Sequence, residues 1–447
     1  MILPRFSIAL PVLALAAFGL GLSGSLSLAQ DGPLRIEITE GVERPMPVAL
    51  RVEEQDGGEE VEAMAAQIGD VIAADLEGTG IFEIADPDGV PESRFDQLID
   101  YVGWKANEVE ALVTASVAAN ADSVSVRFRL FDIFAGQPLG DGMQFDAPRE
   151  GWRRAAHKIA DQIYARITGE APYFDSRIAF VGESGPATER IKQVGVMDYD
   201  GEGVKWLTSP GDLVLSPRFS PDGRTLLYTS FGSGLPQIVA LDVETVSATP
   251  LTRDPMAMSF APRYSPDGEW ITFSRESGGN TDIWVMQVDN PSFAKPLTGG
   301  PSIDTAPSWS PDGQQIVFES DRSGTSQLYV MRADGSEPTR ISFEEGGAYG
   351  EPAWSPRGDR IAFTRQGGGG SVIGIMRPDG SGEQILTEGF VDAGPSWAPN
   401  GRVLIFTRQS GDQRGPRLHS VDISGRNMRA VAPDDAASDP AWGPLLP

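Results

Sequence analysis

Two histidines and no cysteine limit the chemistry that this 447-residue chain can perform. His157 and His419 are the only imidazoles, so histidine-rich metal sites and most catalytic triads are excluded. Without cysteine there is no thiolate nucleophile, no thiolate metal site and no disulfide. The sequence also lacks Gly-x-Ser-x-Gly, the nucleophile elbow of many serine hydrolases. These residue types argue against thiol chemistry and a serine triad.

Aspartate-rich turns suggest a calcium site, especially the segment MDYDGEG that starts at Met197. An EF-hand loop needs more acidic ligands at fixed offsets and a closing glutamate, which this segment lacks. Later segments with the same local pattern read RADG, RPDG and DISG. We therefore predict hairpin turns here, with no metal site and no cofactor.

A short phrase recurs at a regular spacing through the C-terminal part of the chain. It reads PRFSPDG, PRYSPDG, PSWSPDG, PAWSPRG, PSWAPNG and PAWGP, with its fourth residue at positions 220, 265, 310, 355, 398 and 443. A period of about 45 residues that contains several short β segments is typical of propellers. We predict an all-β six-bladed β-propeller over residues 171–447, with the repeated aromatic residues packed within the blades.

Each repeat contains the pattern of four antiparallel strands. An inner strand such as PSW meets a Ser-Pro-Asp-Gly turn, and QQIVFES, QLYVMRA and TRISF follow as three more strands. Residues 177–208 match only the last three strands of a repeat, and the final nine residues, DPAWGPLLP, supply one inner strand. We expect this C-terminal strand to complete the first repeat and to close six blades into a ring, because closure removes free sheet edges.

Residues 34–170 lack the repeat and read as a small α/β domain. A hairpin is predicted around residues 120–122, and SRFDQLIDYVGW is predicted as a helix. A further helix is predicted from Trp152 to Thr168, with His157 beside its apolar stripe and therefore on the helix surface. One more helix is predicted from apolar residues at helical spacing, namely Val61, Met64, Ile68, Ile72 and Leu76.

The first 29 residues have the pattern of a secretory signal peptide. Arg5 precedes an apolar run, and Ser27-Leu28-Ala29 forms a small-x-small cleavage site. A membrane anchor is the alternative, but the apolar run is short and is interrupted by glycine and serine. The net charge of −27 repels nucleic acid and suits a basic protein partner, or simply keeps the chain soluble. We expect an exported monomer with no nucleic-acid partner and no insertion into the membrane.

The order of leader, α/β domain and propeller resembles the TolB family, periplasmic components of the Tol–Pal envelope system. The junction RRAAHKIADQIYARITGEAPYFDSRIAFV, which starts at Arg153, is especially similar to that family's passage into its first blade. The resemblance implies a non-enzymatic adaptor in the periplasm that supports outer-membrane integrity and cell division. Its implied partners are the Pal lipoprotein, TolA and other outer-membrane proteins.

The resemblance also implies two binding regions. Pal would bind at the propeller mouth, where the family's contacts correspond to positions just before the inner-strand proline. TolA would bind the N-terminal arm, residues 30–43, which in this family can also pack on the protein's own surface. Met258, Ala261 and Thr305 correspond to the family's contact positions, and Asp304, Tyr349 and Asp392 are added because they occupy comparable loop positions in other blades. The candidate arm residues are Gln30, Asp31, Leu34, Arg35, Ile36 and Ile38.

Two alternatives remain open at this point. One is an exported propeller scaffold with an unrelated partner. The other is a propeller that binds a small ligand or hydrolyses a substrate, because similar repeats accompany prolyl-oligopeptidase-like hydrolases. His419 lies in the predicted third strand of a repeat, RLHSVD, where a structural role is expected.

Overall fold

The computed structural model describes residues 44–55, 58–86, 93–186, 189–343, 347–410, 415–431 and 436–447. The predicted signal peptide (1–29) and N-terminal arm (30–43) lie outside the described residues. The residues that are described form an α/β unit followed by a β-propeller.

The α/β unit is a mixed sheet with helices on both faces. Strand order is β2-β1-β3-β4-β5, and β6 also pairs with β4. Strand β1 runs parallel to β2 and β3, whereas β3 and β4 form an antiparallel hairpin. The elements are β1 (Met46–Glu54), α1 (Gly58–Glu77), β2 (Phe82–Ile84), α2 (Tyr101–Ala106), β3 (Ala111–Ala119), β4 (Ser123–Asp132), β5 (Gln137–Pro138), β6 (Met143–Pro148) and α3 (Trp152–Thr168).

Helices α1 and α3 pack side by side on one face of this sheet. The five apolar residues predicted to line α1 are all buried, which confirms the helical period. Helix α3 has the predicted bounds, and Gly169 ends it in the left-handed conformation (φ 74°) that favours glycine. The predicted hairpin around residues 120–122 is also confirmed.

The predicted helix over residues 93–104 is wrong for its first two turns. Helix α2 begins at Tyr101, because the Asp100 side chain accepts a hydrogen bond from the Gly103 N–H and caps the helix there. Before that point the Glu53 carboxylate accepts the Phe95 N–H at 2.9 Å, which holds the segment against the sheet in a non-helical path.

The propeller consists of short antiparallel strands from Ser176 to Leu445. They are β7 (Ser176–Ser184), β8 (Ile191–Asp198), β9 (Lys205–Trp206), β10 (Val214–Phe219), β11 (Thr225–Ser230), β12 (Gln237–Asp242), β13 (Ala248–Pro250), β14 (Met258–Tyr264), β15 (Trp270–Ser277), β16 (Asn280–Gln287), β17 (Ala294–Pro296), β18 (Asp304–Trp309), β19 (Gln315–Ser320), β20 (Gln327–Arg332), β21 (Thr339–Arg340), β22 (Ala348–Trp354), β23 (Ile361–Gly367), β24 (Gly370–Met376), β25 (Gln384–Ile385), β26 (Val391–Trp397), β27 (Val403–Gln409), β28 (Arg417–Asp422), β29 (Arg429–Val431) and β30 (Ala436–Leu445).

The predicted ring of six separate blades is wrong. The described propeller strands form four four-stranded sheets and one eight-stranded sheet, which runs from β22 to β29. The two repeats in the large sheet are joined because Ser371 of β24 pairs in parallel with Val391 of β26. The last strand, β30, pairs antiparallel with β7, and the sheet order there is β30-β7-β8-β9.

The α/β unit and the propeller share one apolar core. Ile159 and Ile163 of α3 belong to the same buried cluster as Ile178 of β7, Tyr199 after β8 and Trp442 of β30. The connecting residues Tyr173 and Phe174 are part of that cluster as well, and their rings lie 4.4 Å apart. A continuous core of this kind fixes the orientation of the two parts, because separating them would expose these rings to water.

Candidate functional site

The first residues of the inner strands β10, β14, β18, β22 and β26 lie at one end of the propeller. The loops that lead into these strands contact the loops of the adjacent hairpins. The Phe231 N–H donates to the Leu213 carbonyl at 2.9 Å, and the Ile303 N–H donates to the Asp321 carboxylate at 2.8 Å. We call the surface formed by these two sets of loops the mouth.

Five large apolar side chains are exposed at the mouth. Each lies one to five residues before an inner strand, a position where the chain passes from an outer strand to the centre. Exposed apolar residues on the loops at one end of the propeller make this end a candidate interaction surface, because large exposed apolar patches on soluble proteins mark such surfaces. The exposed fractions are 41% for Leu213, 81% for Met256, 50% for Ile303, 63% for Phe343 and 64% for Phe390.

Three of the predicted mouth residues lie on the first half of an inner strand. Met258 begins β14, and Thr305 is the second residue of β18; both are half-buried. Ala261 lies at a β-bulge of β14, with a φ of 50° that is unusual for a residue other than glycine. The bulge separates the mouth half of the strand from the half that ends at the Ser-Pro-Asp-Gly turn.

The other three predicted residues are buried and hold the loops in place. Both carboxylate oxygens of Asp304 accept hydrogen bonds from Arg322, at 3.0 and 2.9 Å. Asp392 is bound in the same way by Arg408, with both distances at 2.7 Å. The Tyr349 ring is buried and its hydroxyl donates to the Glu383 carboxylate at 2.9 Å.

The exposed neighbours of these anchors were missed by sequence reasoning. Ile303 precedes the buried Asp304, and Phe390 lies two residues before the buried Asp392. The sequence signal is a large apolar residue in a largely polar loop, one or two residues before the anchoring acid.

A second polar cluster is buried where α1, α3 and the β8–β9 turn meet. The His157 Nδ1 lies 2.7 Å from Asp75 Oδ2, and the Tyr199 hydroxyl donates to Asp75 Oδ1 at 2.6 Å. The prediction that His157 lies on the helix surface is therefore wrong: its side chain is buried because the propeller covers this side of α3. The predicted hairpin turn at MDYDGEG is confirmed, and its Asp200 contacts Arg153 of α3.

Asp75, His157 and Asp200 form the one group in the described part of the chain that could supply three ligands to a metal ion. The Arg153 guanidinium contacts Asp200 from α3 and also lies 3.7 Å from Asp198. A positive charge of the chain itself therefore already neutralises these carboxylates. The arrangement is that of an ion network between the two parts of the chain.

The pKa of His157 is expected to lie above the ordinary histidine value of 6.5, and the pKa of His419 below it. Burial alone lowers the pKa of His157, but the Asp75 carboxylate, with Asp200 and Asp198, raises it above that value. Burial lowers the pKa of His419, and the nearby Arg408 lowers it further. Burial raises the pKa of the Asp75 carboxyl as well, and His157 and Tyr199 oppose that shift.

This prediction is checked by following the imidazole resonances in NMR spectra as the pH is varied. With only two histidines, His157→Gln assigns both signals. Because the pKa of His157 is raised on folding, its stabilising contribution is complete below pH 6.5 and is lost as the pH rises through the raised value. Between pH 6.5 and the raised pKa, the free energy of unfolding should therefore fall less steeply with pH in His157→Gln than in the unmodified protein. Two imidazole signals that both titrate below pH 6.5 would contradict the assignment.

Comparisons with known proteins agree with this architecture. A family model described as the TolB beta propeller domain matches residues 164–446, and one described as the TolB amino-terminal domain matches residues 34–139. The TolB crystal structure from Acinetobacter baumannii superposes with a TM-score of 0.78 at 26% identity, over 92% of this chain and 100% of that chain. None of the helices in the described ranges is long and apolar enough to cross a membrane.

Curated relatives carry the name "Tol-Pal system protein TolB". The protein from Roseobacter denitrificans is 54% identical over 236 residues, which is 52% of this chain and 53% of that relative. The protein from Jannaschia sp. is 52% identical over 232 residues, 51% of this chain and 52% of that relative. The chain thus spans about half the length of the curated relatives it matches. Their name is that of a system component and not of an enzyme, as expected for this chain. With both domain models matched in order, the chain belongs to the TolB family.

Proposed function

We propose that the chain is a periplasmic adaptor of the Tol–Pal system. In this proposal the propeller mouth binds Pal and the N-terminal arm binds TolA, and the linkage supports outer-membrane integrity and cell division. Pal binding at the mouth is inferred from the five exposed apolar residues there, namely Leu213, Met256, Ile303, Phe343 and Phe390.

The mouth has the composition of a protein-binding surface. Large apolar side chains stand around the opening, and ion pairs such as Asp304–Arg322 and Asp392–Arg408 hold the loops that carry them. Such pre-organised loops lower the entropy lost on binding. Met258, Ala261 and Thr305 then lie beside the opening as direct contacts, whereas Asp304, Tyr349 and Asp392 act by positioning the loops.

In this proposal TolA binds the N-terminal arm. Residues 30–44 read QDGPLRIEITEGVER and lead directly to β1, which begins at Met46. Polar residues with Gly and Pro start the arm, and Leu34, Ile36 and Ile38 alternate with charged residues, a pattern suited to pairing as an added strand. Pal binding and arm release are coupled only if Pal discriminates between the docked and free arm.

The domain division and location belong to the same proposal. The leader (1–29) would direct export and be removed, the arm would span 30–43, the α/β domain 34–170 and the propeller 171–447. The family-model matches at 34–139 and 164–446 support a boundary between these ranges.

Calorimetry with purified partners from the same organism tests the proposal. Deletion of residues 30–43 is expected to abolish TolA binding while Pal still binds with one-to-one stoichiometry, because the two surfaces are separate. The full-length triple variant Leu34→Asp, Ile36→Asp and Ile38→Asp should behave as the deletion does. The matched control Glu37→Gln with Glu40→Gln keeps the apolar residues and should retain TolA binding. Unchanged TolA affinity in the triple variant would contradict the assignment of the arm.

A further inference from the structure

The end of the propeller opposite the mouth contains a cavity of about 590 Å³, which we call the turn-side cavity. It lies where the six repeats reach their Ser-Pro-Asp-Gly turns or the equivalents. Its walls include rings from every repeat. These are the aromatic residues Phe219, Tyr264, Trp309, Trp354, Trp397 and Trp442 and the prolines Pro221, Pro266, Pro311, Pro356, Pro399 and Pro444.

Two arginines interrupt the repeat inside this cavity. The residue before the aromatic position is Ser308, Ala353, Ser396 or Ala441 in four repeats, but Arg218 or Arg263 in the other two. The two serines have a structural role, because the hydroxyls of Ser308 and Ser396 accept the N–H groups of Trp354 and Trp442, at 3.1 and 2.9 Å. A guanidinium cannot accept a hydrogen bond, so the arginines do not take over that role.

The two arginines differ in their partners. Arg218 donates to the Pro217 carbonyl at 2.6 Å and is attracted by the carboxylates of Asp439 and Glu351. Arg263 lines the same cavity, and neither guanidinium has a carboxylate of the described residues within ion-pair distance. Within the described ranges no carboxylate lines this cavity, although the chain has a net charge of −27.

One buried hydrogen-bond donor beside the cavity is unsatisfied. The indole N–H groups of Trp354, Trp397 and Trp442 donate to Gly358, Ala353 and Ser176. The indole N–H of Trp309 is buried and has no acceptor among the described residues. Trp309 lines the cavity together with Arg263, so a buried donor without an acceptor and a cation without an ion pair belong to the same walls.

We propose that the turn-side cavity binds a small carboxylate whose body is a flat apolar ring. The Arg263 guanidinium pairs with the carboxylate in a charge-assisted hydrogen bond, and the body stacks between proline and aromatic rings. The carboxylates of Asp439 and Glu351 already act on Arg218, so a single negative charge suits Arg263.

Naphthalene-2-carboxylate and its neutral amide, naphthalene-2-carboxamide, are the probes that test this site. Titration of the full-length protein is followed by calorimetry and by ligand-observed NMR. The carboxylate is expected to bind at least tenfold more tightly than the amide. Arg263→Gln should weaken carboxylate binding at least tenfold and leave amide binding unchanged. The affinity of Arg263→Lys for the carboxylate should lie between those of the unmodified protein and Arg263→Gln, because lysine keeps the charge.

Arg224→Gln is the matched control, because Arg224 is exposed next to a Ser-Pro-Asp-Gly turn but does not line the cavity. It should leave the affinity for the carboxylate unchanged. Equal affinities for carboxylate and amide in the unmodified protein would overturn the proposal without reference to any variant. Loss of binding in Arg224→Gln equal to that in Arg263→Gln would overturn it as well. So would the absence of carboxylate binding at about 5 mM, a concentration that reveals even millimolar affinity.

Discussion

Replacing Asp161 by alanine is expected to lower the free energy of unfolding by at least about 3 kcal/mol. One carboxylate oxygen of Asp161 accepts the N–H groups of Tyr173 and Phe174, both at 2.8 Å, and the other accepts the Asp175 N–H at 3.0 Å. All three bonds are buried. Removing the carboxylate leaves three buried donors without an acceptor, and each such group costs about 1–3 kcal/mol.

The effect is large because these three residues connect α3 to the propeller. Tyr173 and Phe174 pack against Tyr199, at ring distances of 5.7 and 5.3 Å, and Tyr173 lies 6.0 Å from Trp442. Asp175 also forms a bidentate contact with Arg154 of α3, at 3.0 and 2.9 Å. Asp161 thus fixes the backbone from which these side chains enter the shared core.

Urea denaturation at pH 7.5 measures this effect. That pH lies above the value of about 6 to which burial raises the pKa of Asp161, against the opposing effect of its three N–H donors, so the carboxyl is ionised. Asp70→Ala is the control, because Asp70 is exposed on α1 and its loss should change stability by less than about 0.5 kcal/mol. Equal stabilities of the two variants would show that Asp161 does not hold the junction.

Much of the fold could be predicted from local sequence patterns. The apolar period of α1 and α3 and the turn residues of the propeller repeats act over a few residues, and the corresponding elements are present in the structure. The repeats also place each inner strand before its turn. These features depend on backbone geometry and side-chain burial within one element or one hairpin.

Features that depend on distant contacts could not be predicted. The eight-stranded sheet results from a single parallel pair, Ser371 with Val391, which no local pattern specifies. His157 is buried because the Tyr199 and Asp200 turn packs on α3, although its place in the helix pattern alone favours the surface. The exposed residues at the mouth could be recognised only once the structure showed which apolar loop residues lack a packing partner.

Replacing Phe390 by serine is expected to weaken Pal binding at least about 30-fold. Phe390 is 64% exposed at the mouth and immediately precedes β26, so its ring is available to a partner. Aromatic residues near the centre of an interface often contribute about 2 kcal/mol or more to binding, and a loss of about 2 kcal/mol corresponds to this factor. The folded protein should change little, because the ring is mostly in solvent and Asp392 still anchors the loop through Arg408.

Phe293→Ser provides a matched control for this variant. Phe293 is 49% exposed, but it lies between β16 and β17, at the turn-side end of the propeller. Thr305→Arg adds an independent variant, since a long charged side chain on β18 would obstruct a partner seated on the mouth. We expect Thr305→Arg to weaken Pal binding at least tenfold and Phe293→Ser to leave it within twofold.

The central claim, that the mouth is the Pal-binding surface, is tested most directly by the Pal affinity of Phe390→Ser compared with that of Phe293→Ser. Calorimetry with Pal from the same organism gives both values under identical conditions, and thermal unfolding confirms that each variant is folded. We predict one-to-one binding that is weakened at least about 30-fold only in Phe390→Ser. Equal affinities of the two variants, or no binding of Pal to the unmodified protein at high micromolar concentration, would contradict the account.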